Sequence, residues 1–164
     1  MRVRVWLSLG SNMDREHNIR SAITALEKVF GRLIISPVYE SDAVGFTGDP
    51  FLNLVVGVET DWTPQQLAAL LRSIEHSHGR ERSGEKFSAR TLDIDLLTYG
   101  HQVLHAPGID LPRKEITRYA FVLQPLAKVA GNELHPVSGV SYAALWQAFD
   151  KSRQSLREVE LRFD

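Results

Sequence analysis

Leu92-Asp93-Ile94-Asp95-Leu96 reads as a strand with two different faces. Side chains alternate along an extended backbone, so Leu92, Ile94 and Leu96 point one way and Asp93 and Asp95 the other. The apolar set belongs in a core. The two carboxylates are then neighbours on the opposite face, with Cα atoms ~6.6 Å apart at ~3.3 Å per residue. Two carboxylates ~6 Å apart repel by about 3 kcal/mol at an effective dielectric of ~20. A divalent cation removes the repulsion, and an all-oxygen ligand set suits magnesium rather than zinc. The competing reading is a solvated sheet face with two incidental aspartates. Aspartate is disfavoured in strands, however, so two at alternate positions ask for a cause.

Just upstream stand Arg80, Arg82, Lys86 and Arg90, with one aromatic among them at Phe87. Arginine presents a planar fork that grips phosphate bidentately and never deprotonates. The chain favours it, with fourteen arginines to five lysines. Fixed cations beside metal-holding acids meet the needs of phosphoryl transfer. Residues 80–91 are polar and aperiodic, which predicts a long exposed loop able to close over a nucleotide. A merely solvated loop is the alternative, because Glu81 and Glu85 offset two of the cations. There is no GxxxxGK(S/T) and no GxGxxG, so a P-loop NTPase, a Rossmann dehydrogenase and a protein kinase are unsupported.

The elements that must carry these residues follow from periodicity. Val3, Val5, Leu7 and Leu9 alternate with Arg4, Trp6 and Ser8, predicting a half-buried strand that Leu9-Gly10-Ser11-Asn12 breaks. Ile19, Ala22, Ile23, Leu26, Val29 and Phe30 have helical spacing, with Gly31 at the C′ position. Leu33–Tyr39 reads as a second strand with an edge or bulge at Pro37. Residues 40–50 read as a loop and Phe51–Glu59 as a third strand. Thr63-Pro64-Gln65-Gln66 is a capping box, followed by the stripe Leu67, Leu70, Leu71, Ile74. Leu92–Tyr99 is the fourth strand, with Val103-Leu104 as a short partner. Helices are expected at Ala120–Val129 and Tyr142–Asp150, and a late strand at Arg157–Phe163. The order β-α-β-β-α-β predicts an α+β, ferredoxin-like sandwich: an antiparallel sheet with helices packed on one face, plus a C-terminal helical and strand extension.

At 164 residues the chain is expected to be one domain, 1–164. A formal net charge of −1 argues against a generally basic nucleic-acid binder. The absence of cysteine excludes disulfides, thiolate metal sites and cysteine nucleophiles. Apolar runs are too short to span a membrane, and Met1-Arg-Val-Arg-Val has no signal-peptide core. A cytoplasmic protein is expected.

In its motifs the chain resembles the 6-hydroxymethyl-7,8-dihydropterin pyrophosphokinases. The likeness runs through Leu9-Gly10-Ser11-Asn12, Phe51-Leu-Asn-Leu54, Gly79-Arg80 and Phe121-Val-Leu-Gln-Pro-Leu126. It is most specific at Arg90-Thr-Leu-Asp-Ile-Asp-Leu-Leu97. The resemblance implies transfer of the β,γ-pyrophosphoryl group of ATP to the pterin hydroxymethyl oxygen, with release of AMP, in folate biosynthesis. It implies two magnesium ions on Asp93 and Asp95, and Arg80 and Arg90 as the catalytic arginines of a loop. For the pterin it implies Ser41, Asp42, Val44, Phe51, Asn53 and a stacking Phe121. For the nucleotide it implies Arg72, Glu75, Arg82, Phe87, Leu96, Arg113, Lys114 and Arg118. The partners implied are ATP and the hydroxymethylpterin, with no nucleic acid, no membrane and a monomeric chain.

Departures from the family pattern fall around the loop. Phe87-Ser88-Ala89 stands where many members have Trp-Gly-Pro, which predicts altered loop stiffness. Arg113-Lys114 follows Pro112 where many have histidine. A further arginine of some members aligns with Tyr119, beside Arg118. Two other classes compete. One is a non-catalytic pterin- or nucleotide-binding module on the same sheet. The other is an RRM-like RNA binder, disfavoured because its strands lack interleaved stacking aromatics and Asp93 and Asp95 repel phosphate.

Overall fold

The structure, a computed structural model, describes residues 2–42, 48–79, 92–152 and 154–163. In chain order the elements are β1 (Val3–Ser11), α1 (Arg15–Phe30), β2 (Ile34–Ile35), β3 (Val38–Ser41), β4 (Phe51–Thr60), α2 (Pro64–Ser77) and β5 (Asp93–Tyr99). There follow β6 (Leu104–Ala106), β7 (Ile109–Leu111), α3 (Glu115–Arg118), α4 (Ala120–Ala130), α5 (Tyr142–Ala148) and β8 (Leu156–Val159). The main sheet runs β5-β1-β4-β3-β8, with β2 also paired to β4, and every pairing is antiparallel. The first four positions give the ferredoxin-like order expected of the sequence. No helix among the described residues is long and apolar enough to cross a membrane.

Local signals formed as read where they carry their own hydrogen bonds. Thr63 Oγ1 accepts from Gln66 N, and Gln66 Oε1 accepts from Thr63 N, closing the capping box of α2. Gly31 ends α1 at φ 76°, a backbone that side chains other than glycine resist. The break expected at Gly10 does not occur: β1 continues to Ser11 because β4 and β5 pair with it on both sides. The single strand expected over Leu33–Tyr39 divides at Ser36-Pro37. There Ser36 Oγ accepts from Val55 N and donates to Pro37 O, and Ser36 N donates to Val55 O, bridging the gap in the ladder. Beyond β5 the short partner strand is a full hairpin, β6–β7, and α3 precedes the expected helix.

The larger correction concerns the second sheet face. Leu7, Leu9 and Ile94 pack beneath α1 and α2 as predicted, joined by Leu54 and Val56. Trp6, expected on a half-exposed face, is 1% exposed. It packs with Val55, Leu97, Leu123, Leu126 and Tyr142, so α3, α4 and α5 cover the opposite face and helices lie on both. The indole lies so close to Gly57 that a Cβ there would stand 2.5 Å from Trp6 Cζ3. Its Nε1 donates to Glu133 Oε1 at 2.9 Å. A strand buried on both faces loses the alternation by which an exposed face is recognised.

Candidate active site

The register places Asp93 and Asn53 in one row. Asp93 pairs with Gly10, Gly10 with Asn53, and Asn53 with Tyr39, across β5, β1, β4 and β3. Directly paired residues share a face, so Asp93 and Asn53 flank the bare Gly10 from either side, on the Trp6 face. Two inter-strand steps separate their backbones by about 9.6 Å. A Cβ on Gly10 would sit 3.0 Å from Asn53 Oδ1 and 3.8 Å from Phe51 Cδ1, so the missing side chain keeps a slot open. One row along, Asp95 pairs with Ser8 and Ser8 with Val55. The alternation read from the sequence holds: Ile94 and Leu96 are buried in the α1–α2 core, while Asp93 and Asp95 face the other way.

The amide end of the slot is prepared. Asn53 Nδ2 donates to Ser41 Oγ at 2.7 Å, and both residues are buried. That bond fixes the amide and turns Oδ1 toward Gly10. Phe51 lies beside Asn53 at the start of β4 and pairs with Ser41. Phe121 is in the first turn of α4, a helix that packs on β3 and β4, and its ring stacks on Tyr119 at 5.0 Å. Asp42 is exposed and lies 3.3 Å from Arg157.

The acidic end is held by α2. Glu75, 3% exposed, extends from α2 to the edge strand β5, where its Oε2 accepts from Ile94 N at 2.9 Å. This fixes the backbone between the two aspartates. Glu75→Ala leaves that buried N–H unsatisfied and is expected to destabilise the fold by about 1–3 kcal/mol in urea denaturation, with Glu75→Gln milder. An unchanged midpoint in the alanine variant would sink this account.

A cavity of about 480 Å³ opens beside Asp95, between α2, β5 and the β6–β7 hairpin. Its wall is apolar at Ala68, Leu71, Leu96 and Ile109 and charged at Arg72, Asp95 and Arg113. Arg113 N donates to Leu97 O, which brings its side chain back over β5. The Arg113 guanidinium lies 3.6 Å from Asp95 Oδ1 and pairs closely with Glu115. Its Nε is buried without a hydrogen-bond partner among the described residues, so charge rather than a complete set of bonds holds it there. Lys114 is exposed next to it. Arg118 lines a different cavity, of about 450 Å³, with Leu123, Phe149 and Gln154. Val44, Arg80, Arg82, Phe87 and Arg90 lie outside the described residues.

Burial, then the neighbouring Asp93 charge, pushes the Asp95 carboxyl up to about 8, against the pull of Arg113. The folded protein thus holds a proton there that the unfolded chain, near 3.8, releases. This contribution to stability is complete below that lower value and is lost as pH rises through about 8. Metal-free protein is expected to lose stability relative to Asp95→Asn between about pH 5 and 8, measured by urea denaturation in chelator. Parallel pH profiles for the two proteins would refute it.

The donor set fits magnesium. It is oxygen only, and two carboxylates lie on one face. Among the described residues no three His, Asp or Glu side chains form a closed metal cage. Magnesium commonly takes one or two carboxylates and completes its shell with water and substrate phosphates.

Sequence reasoning did not assign Gly10 to the site, nor the hairpin residues Ile109 and Asp110. Gly10 carried a signal, a glycine within a strand pattern, which marks close approach of another group. The hairpin carried none, because its contribution depends on folding back over the edge of β5.

Comparison with known proteins identifies a family for the chain. Residues 6–131 match the family model described as 7,8-dihydro-6-hydroxymethylpterin-pyrophosphokinase. The chain is 38% identical over 131 residues to the 2-amino-4-hydroxy-6-hydroxymethyldihydropteridine pyrophosphokinase of Pseudomonas aeruginosa, covering 77% of this chain and 80% of that protein. It is 36% identical over 135 residues to the protein of the same name from Aquifex aeolicus, covering 81% and 84%. It is 33% identical to the folic acid synthesis protein fol1 of Pneumocystis carinii, covering 87% of this chain but spanning only 20% of that protein. Among solved structures, wild-type Plasmodium falciparum HPPK-DHPS with pteroate superposes with a TM-score of 0.69 at 15% identity, over 90% of this chain and 42% of that one. That last likeness bears on the fold.

Proposed function

The chain belongs to the 7,8-dihydro-6-hydroxymethylpterin-pyrophosphokinase family, and we propose that it works through the slot between Asn53 and the paired aspartates. It is a transferase of folate biosynthesis that moves a pyrophosphoryl group, and its family uses ATP as co-substrate, generally with magnesium. In our reading Asp93 and Asp95 hold two magnesium ions. Bound there, they would neutralise charge on the phosphate oxygens.

The chain's own residues divide the remaining work. Asn53 Oδ1 faces the slot as an acceptor, suited to a ring edge that bears N–H donors. Ser41, Asp42, Val44 and Phe51 complete the pterin contacts, and Phe121 supplies an aromatic face. The apolar wall of the larger cavity takes the base, and its charged end, with Arg72, Arg113 and Lys114, takes the phosphates. Arg82 and Phe87 join the nucleotide side, while Arg80 and Arg90 stabilise charge developing on the transferred group and on the AMP that leaves. Glu75, which lines the same cavity and also holds Ile94 N, belongs to the nucleotide side, and Arg118, implied for the nucleotide by resemblance, lies at a separate cavity. We take the chain to act as one domain, 1–164, as a monomer in the cytoplasm.

The observation that carries the reading is the single row in which a bare glycine separates a fixed amide, Asn53, from Asp93, with Asp95 on the same face one row along. The test is AMP release from ATP, magnesium and the hydroxymethylpterin. Absence of AMP with the wild-type protein would reject the reading.

A further inference from the structure

We propose that β8 positions the pterin-contacting segment, with Arg157 as a positioning residue acting on the backbone of residues 40–42. The inference rests on the assignment of Ser41 and Asp42 to the pterin. β8 lies beyond residues 6–131, the part of the chain that matches the family model. It adds to the outer edge of β3, with Glu40 opposite Arg157 and Ser41 opposite Leu156.

From that register the Arg157 guanidinium reaches Glu40 at 3.0 Å and Asp42 at 3.3 Å. Glu40 is held from its other side by Arg15 of α1, at 2.7 Å. Arg15 also donates to Pro50 O at 3.2 Å, and Asn12 Nδ2 donates to Asp49 O at 3.1 Å. These contacts fasten both ends of the connection between β3 and β4. Arg157 holds the outgoing end at Asp42, and Arg15 and Asn12 hold the returning end at Asp49 and Pro50. Glu40 joins the two groups.

Glu40 pairs with Leu52, which belongs to the α1–α2 core, whereas Ser41 lies on the opposite, Asn53 face. Arg157 therefore pulls from the side of the sheet away from the slot. Its influence reaches the substrate through the backbone that carries Ser41. The network is partly exposed, so salt screens it and its effect is modest.

The experiment compares wild type, Arg157→Ala and Arg157→Lys. Arg157→Ala is expected to raise KM for the hydroxymethylpterin roughly three- to fivefold, with kcat and KM for ATP within about twofold. Arg157→Lys should recover part of the loss. Raising salt from about 0.05 to about 0.5 M should weaken pterin binding in wild type and leave Arg157→Ala less affected. An unchanged pterin KM in Arg157→Ala, or equal rises in both KM values, would overturn the proposal. Pterin affinity is also measured by fluorescence titration without turnover. A wild type that binds pterin but releases no AMP would defeat the functional reading alone, and the titration of Arg157→Ala would still decide for or against the brace.

Discussion

Asp95→Ala is expected to lower the rate of AMP release by about a thousandfold or more. A divalent ion that neutralises transferring phosphate is worth several kcal/mol of transition-state charge, and each 1.36 kcal/mol is about tenfold in rate. A competing cation stands against Asp95, with Arg113 3.6 Å from its carboxylate. On the proposed reading, removing Asp95 would deprive the metal of a ligand, and it leaves Arg113 paired with Glu115. The fold should survive, because the Asp95 carboxyl is pushed up to about 8 and is no source of stability at neutral pH. Urea denaturation should therefore show Asp95→Ala as stable as wild type, or more so, at pH 8. Magnesium-dependent nucleotide binding, measured by calorimetry, should weaken in step with the rate. Full AMP release by this variant would refute the assignment of Asp95.

Arg90→Ala is expected to reduce kcat by about 10³-fold or more while changing pterin affinity little. Cations that meet charge only as it develops in phosphoryl transfer are worth 10³–10⁵ in rate where they have been removed. An interaction made only in the transition state lowers kcat and kcat/KM together and leaves ground-state binding alone. Arg90→Lys should recover little, because an ammonium lacks the planar fork that grips two phosphate oxygens. Steady-state kinetics with a separate pterin titration checks this. A loss shared equally between kcat and pterin affinity would make Arg90 a binding residue instead.

Much of the site was legible because it follows from strand alternation. Asp93 and Asp95 are set apart from Ile94 and Leu96 by the period of two, and that period holds in any strand whose one face is buried. The capping box of α2 was legible for a similar reason, since Thr63 and Gln66 bond within four residues. What covers Trp6 was not legible because its burial comes from α4 and α5, more than a hundred residues away in sequence. The hairpin partner of the cavity and the brace on β3 were hidden for the same reason.

The sequence alone determined the acidic pair, the glycine end of α1, the capped start of α2 and the ferredoxin-like order of elements. Each of these depends on local spacing and short-range hydrogen bonds. Tertiary structure decided that Gly10 lies between Asp93 and Asn53, that Glu75 clamps Ile94, and that Arg157 stands opposite Glu40. Those are matters of register between strands and of helices laid on sheet edges, and register is set by which distant apolar surfaces are buried together.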